Sequence, residues 1–101
     1  MARYDVFKAP SDGEAPYLLD IQSDLLDITG TRVVVPLFRR TDYARPAAVL
    51  HPEFEVEGER CVMLTHFVFT IAEAELGERV SSLTDKHFVI GAALDRLLAG
   101  Y

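Results

Sequence analysis

From Thr84 to the end of the chain the apolar residues recur at a helical period, whereas the chain before it reads as short strands broken by turns. That change of period constrains the fold most: a β-rich body must be closed by one terminal helix. Thr84 can cap the helix, and Asp85 in its first turn suits the positive end of the helix dipole. At about 100° per residue, Ile90, Leu94, Leu97 and Tyr101 form one tight stripe with Leu98 at its edge. Phe88, Ala92 and Ala99 fall on roughly the opposite side, beside Asp95. A helix apolar nearly all round is expected to pack one face on the sheet and offer the other to a partner.

The strand signals are local. Tyr4-Asp5-Val6-Phe7 reads as one strand, followed by a turn at Ser11-Asp12-Gly13, and 17–22 as a second. Val33-Val34-Val35 is the clearest, because β-branched side chains favour a pleated surface; Pro36 is expected to close it or mark an edge. Glu53-Phe54-Glu55-Val56-Glu57 alternates strictly, Gly58 supplies a turn, and Cys61-Val62-Met63-Leu64 returns as a buried strand. Phe67–Ile71 adds another. Short antiparallel strands at close spacing suggest a small barrel or rolled sheet, with residues 1–101 as one domain.

Composition excludes several functions. The chain has 101 residues, half of them hydrophobic, and a net charge of −6. So acidic a chain, with its only dense basic group at Arg39, Arg40 and Arg45, is unsuited to direct nucleic-acid binding, which needs clustered cations. The N-terminus lacks a signal peptide's apolar stretch and no apolar run suffices for a membrane span, so a cytoplasmic protein is expected. His51, His66 and His87 lack the spacing of a metal site, and the single Cys61 lies in an apolar segment that raises a thiol's pKa. A Cys61–His66 dyad rests only on a five-residue separation. The carboxylates Glu53-Glu55-Glu57 and Glu73-Glu75 read as solvated strand faces, and Ser23-Asp24 as a turn or cap. No phosphate loop or nucleophile elbow is present, so no cofactor, metal or catalytic group is expected.

Asp20-Ile21-Gln22-Ser23-Asp24-Leu25-Leu26-Asp27, followed by Arg32-Val33-Val34-Val35-Pro36-Leu37, resembles the core of the CcdB family of plasmid-addiction toxins. His51-Pro52, then Arg60–Thr65, is similar to that family's central hairpin, and Leu76-Gly77-Glu78-Arg79-Val80 to its segment before the last helix. The resemblance implies a mainly β, SH3-like barrel: a strongly bent antiparallel sheet, a smaller second sheet and a C-terminal helix. It also implies a homodimer that poisons DNA gyrase through the enzyme's A subunit. The disordered tail of a CcdA-like antitoxin would neutralise that dimer.

Carried over residue by residue, the gyrase contacts implied are Leu25 and Leu26 after the Gln-Ser-Asp segment, and Asp95, Leu98, Ala99, Gly100 and Tyr101 at the helix end. The family's best-known member has an amide, two aromatics, glycine and isoleucine at those last five positions. Ala99 therefore lacks an aromatic anchor that Tyr101 restores two residues later. Gly100 is expected to leave that terminal ring free to turn outward. Read from residues alone, Leu25, Leu26 and Leu98 fit a core equally well. Two alternatives stay open: an mRNA endoribonuclease of the MazF type on the same barrel, and a non-toxic homologue that only binds antitoxin.

Overall fold

The computed structural model describes residues 2–11, 13–26 and 30–100. Seven antiparallel strands, β1 (Asp5–Lys8), β2 (Tyr17–Asp20), β3 (Thr31–Arg39), β4 (Glu53–Val56), β5 (Glu59–Met63), β6 (Phe69–Ala72) and β7 (Arg79–Ser82), precede one helix, α1 (His87–Ala99). Their order is β4-β5-β3-β2-β1-β7, with β6 also on β3. The sheet is a curled half-barrel that forks at β3. One flank of that long strand meets β2, while the other meets β6 at Thr31–Val34 and then β5 at Leu37–Arg39.

Pro36 sits in the middle of β3 and is buried, contrary to the edge or strand end its ring suggests. Its carbonyl accepts Leu64 N–H at 3.1 Å, so its imide nitrogen faces the same flank, in the gap between the two partners. The missing N–H therefore costs no ladder bond to β2.

Alternation along the strands separates two packing faces. Val6, Leu19, Val35 and Leu37 point inward, where Ile90 and Ala93 of α1 cover them together with Met63 and Cys61. Leu18, Val34 and Ile71 point outward into a smaller cluster. The β4–β5 turn uses Glu57 and Gly58 at φ 51° and 77°, a pair of left-handed residues that matches the twist of a two-residue hairpin. Tyr17 Oη donates to Glu57 at 2.9 Å, and burial together with that carboxylate pushes the phenol up to about 12.

Two local expectations change, and the structure adds one strand. β7 carries no clear alternation, yet it pairs with β1 as an edge strand. Glu73–Glu75 is a 3-10 turn and not a strand face. Thr84 does not cap α1: it opens a 3-10 turn (Thr84–Lys86), and its hydroxyl bonds Ser82 Oγ at 2.8 Å. No helix among the described residues is long and apolar enough to cross a membrane.

The segment before β7 is pinned by a close approach. Gly77 N–H donates to Lys8 O at 2.9 Å, and a Cβ on Gly77 would stand 2.7 Å from that oxygen and 3.0 Å from Lys8 Cβ. Because the obstacle is backbone, it cannot rotate away. Gly77→Ala is expected to lose about 1–3 kcal/mol of stability, the usual range for overpacking. A lower urea midpoint at unchanged slope is the readout.

Candidate functional site: two exposed leucine loci

The loop after β2 is built from side-chain bonds. Asp20 and Arg32 are both buried and form an ion pair at 2.7 Å. Asp20 pairs with Val34 across the ladder, so Arg32 is its diagonal neighbour on the outward face. Burial raises the Asp20 carboxyl above its ordinary range, although Gln22 N–H and the Arg32 guanidinium pull the other way. Gln22 ties this pair to the loop. Its N–H donates to Asp20 Oδ1 at 3.0 Å, its side-chain carbonyl accepts Val33 N–H at 3.1 Å, and its amide NH2 donates to Leu26 O.

The Ser23-Asp24 turn completes the support. Ser23 Oγ accepts Leu25 N–H, Ser23 O accepts Leu26 N–H, and Asp24 Oδ1 accepts Arg3 N–H at 2.7 Å. With its polar groups engaged below, the loop presents two leucines to solvent: Leu25 is 92% exposed and Leu26 49%. A leucine this exposed on a hydrogen-bonded loop adds nothing to the core.

The second locus is the end of α1. Ile90 and Ala93 are buried and Leu94 packs against the inner core, while Asp95, Leu98, Ala99 and Gly100 are exposed, Leu98 by 80%. The expected core stripe thus holds at Ile90 and Leu94 and is joined by Ala93. Gly100 adopts φ 81° with its N–H on Arg96 O at 3.1 Å. It is the left-handed stop of the helix, a role that favours glycine for lack of a Cβ penalty. Tyr101 lies outside the described residues, as does Asp27.

Ile21, which leads into the first locus, and Leu94, which leads into the second, pack against the same inner core. No hydrogen bond or ring contact joins the two loci directly among the described residues. Each stands on its own support.

A separate polar contact lies at His51 and His66. His51 is buried, accepts Ala47 N–H on Nδ1 at 2.9 Å, and meets His66 Nδ1 through Nε2 at 2.9 Å. That acceptor role places the His51 proton on Nε2, so His66 is the acceptor between the rings. Burial, then the neighbouring His66, holds the His51 pKa below its ordinary value. His66 therefore engages His51, not Cys61, whose thiol burial pushes up to about 11. Among the described residues no three His, Cys, Asp or Glu side chains converge as a metal site. Arg39 and Arg40 are paired with Glu59 and Glu53 at 3.0 and 3.3 Å.

Sequence reasoning missed the Asp20–Arg32–Gln22 network, because residues twelve apart meet only once the register is known. No match is found among curated proteins. A family model described as CcdB protein matches residues 3–100, nearly the whole length. With that match, and with a curled β-sheet closed by one terminal helix, the chain belongs to the CcdB family, the toxins of toxin–antitoxin systems.

Proposed function

We propose that this toxin acts by binding the A subunit of DNA gyrase and trapping the cleaved-DNA complex, without catalysing a reaction itself. The observation that carries the reading is the exposure of Leu25, on a hydrogen-bonded loop, and of Leu98, on α1, at positions where the family resemblance implies gyrase contact. Leu25 and Leu26 supply one patch; Asp95, Leu98, Ala99, Gly100 and Tyr101 supply the other. A homodimer would present both patches twice, and the many large apolar side chains left exposed in one copy support association. A CcdA-like antitoxin with a disordered tail would reverse the action.

Purified protein added to gyrase and supercoiled plasmid is expected to accumulate linear, protein-linked DNA. Light scattering at micromolar concentration should give twice the chain mass. Intact plasmid at saturating protein rejects gyrase poisoning, and a monomeric mass rejects the dimer. Degradation of added RNA would favour the endoribonuclease. Failure to trap gyrase by a well-folded dimer would favour the antitoxin-binding homologue, with Ala99 as the first residue to restore to an aromatic.

A further inference from the structure

The turn at 47–51 is held in a conformation that its sequence resists. Val49 takes φ 69°, a left-handed backbone that a β-branched side chain rarely adopts. Such strain persists only where surrounding bonds over-determine it. Here they come from His51. Its backbone N–H donates to Ala47 O at 2.9 Å, and its Nδ1 accepts Ala47 N–H at 2.9 Å, so the two residues close the turn reciprocally. Its Nε2 then reaches His66 Nδ1 at 2.9 Å, on the 3-10 turn Thr65–Phe67. Thr65 adds a second tie through its hydroxyl, which donates to Leu50 O. In this closed form Val49 and Pro52 share one apolar cleft with Phe88, Val89 and Ala92 of α1.

Two ring protons fit this arrangement and a third does not. Ala47 N–H needs a bare Nδ1 on His51, and the contact between the rings holds a single proton. The other ring proton sits on His66 Nε2. A third must face either the proton between the rings or Ala47 N–H. Shifting the shared proton toward His66 only moves the conflict to Ala47. Every placement therefore breaks one of the two hydrogen bonds. His66 is exposed, so water can deliver that proton.

We propose that the His51–His66 pair is a pH-sensitive latch, closed with both rings neutral and opened by a single proton, which frees the 47–51 turn from the 65–67 turn and from the face of α1. The latch does not depend on which target the toxin binds. Tyr43 sets its ring edge against His51 at 5.5 Å, and Phe67 lies against His66 at 4.2 Å. Of the charged groups on the elements around the pair, Arg32 and Arg39 of β3 are held by Asp20 and Glu59, and Arg40 and Arg60 by Glu53 of β4. Asp42, Cys61 of β5, and His87, Asp95 and Arg96 of α1 make no bond to either ring among the described residues. Burial, then the nearby His66, holds His51 below its ordinary value of about 6.5. A group depressed in the closed form favours closure above that ordinary value and loses the effect as the pH falls through the depressed one, so acid opens the latch.

The test is amide hydrogen exchange by NMR on the full chain, corrected for the intrinsic pH dependence of exchange. Protection of Ala47 N–H and His51 N–H is expected to stay level above the ordinary histidine value and to fall below it by up to about tenfold per pH unit, the limit for one proton. His66→Gln offers a carbonyl that can accept His51 Nε2–H and does not titrate, so the fall should begin at lower pH. His66→Arg offers only donors, and should lose about tenfold or more of that protection already at neutral pH, the loss of one buried hydrogen bond. Both changes are at an exposed position and leave the core untouched. Level protection at Ala47 across the whole range overturns the latch, as does an identical fall in His66→Gln or full protection in His66→Arg. An equal fall in the core amides of β2 and β3 would mean that the whole fold loosens in acid, and would overturn it as well.

Discussion

A variant carrying both Leu25→Ser and Leu98→Gln is expected to lose gyrase poisoning by roughly a thousandfold and to melt within about 2–4 °C of the parent. The two side chains are 92% and 80% exposed, so their removal takes almost nothing from the core. Surface changes of this kind usually lie within about 0.5 kcal/mol, which is a few degrees for a chain of this size. Glutamine is chosen at position 98 because it keeps helix propensity and adds no negative charge at the helix C-terminus, where the dipole would oppose it. An apolar anchor at the centre of an interface is worth about 2 kcal/mol or more on truncation. Two such anchors on separate supports should add to about 4 kcal/mol, close to three decades of affinity. Linear plasmid produced by gyrase across a titration of each variant is the measurement. Full potency in a folded double variant would mean that neither leucine touches the target. A large drop in melting temperature would mean that they pack against a partner copy.

The body of the fold was legible where a single strand or helix carries its own pattern. Phe54 and Val56 alternate with glutamates and are buried as read; Ile90 and Leu94 face the sheet as their spacing predicts. Pro36 was misread because the cost of a proline in a strand depends on the flank to which its nitrogen points, and only the fork at β3 decides that. β7 was illegible because an edge strand reading Arg-Val-Ser-Ser needs only one ladder and buries little. Thr84 has the right chemistry for a cap, but a 3-10 turn intervenes and α1 begins at His87.

For the site, residue chemistry alone could not separate an exposed leucine from a core one. Leu25 and Leu26 look like any apolar pair, and the resemblance to the toxin family singled them out. What turns them outward is the bonding beneath: Gln22 and Ser23 satisfy the loop's backbone and Asp24 ties it to Arg3 N–H, so it keeps its shape without burying its apolar tips.

Arg32→Met should be the most damaging single change to the fold. It leaves Asp20, fully buried, without its cation, and breaking a buried pair from one side typically costs about 3–5 kcal/mol. At about 4–8 °C per kcal/mol, the melting temperature should fall by roughly 12–40 °C. The pH dependence carries a signature. Burial already raises the Asp20 carboxyl, and losing Arg32 raises it further, so the folded variant binds a proton that the unfolded chain has released. The missing stability should therefore return as the pH is lowered toward the ordinary carboxyl value near 3.9, and be lost as it rises, with a limiting slope of about 1.36 kcal/mol per pH unit. A pair substitution, Asp20→Leu with Arg32→Met, removes both charges together and should recover most of the stability, since a buried ion pair can often be replaced by apolar groups. It should not recover function. Gln22 would still lack the Asp20 acceptor for its N–H and the Arg32 donor at its carbonyl, and the loop carrying Leu25 and Leu26 would lose that anchorage. A stable, folded double variant with weak gyrase trapping would establish that the buried pair positions the leucine loop. Full trapping in that variant would reduce the pair to a feature of the core alone.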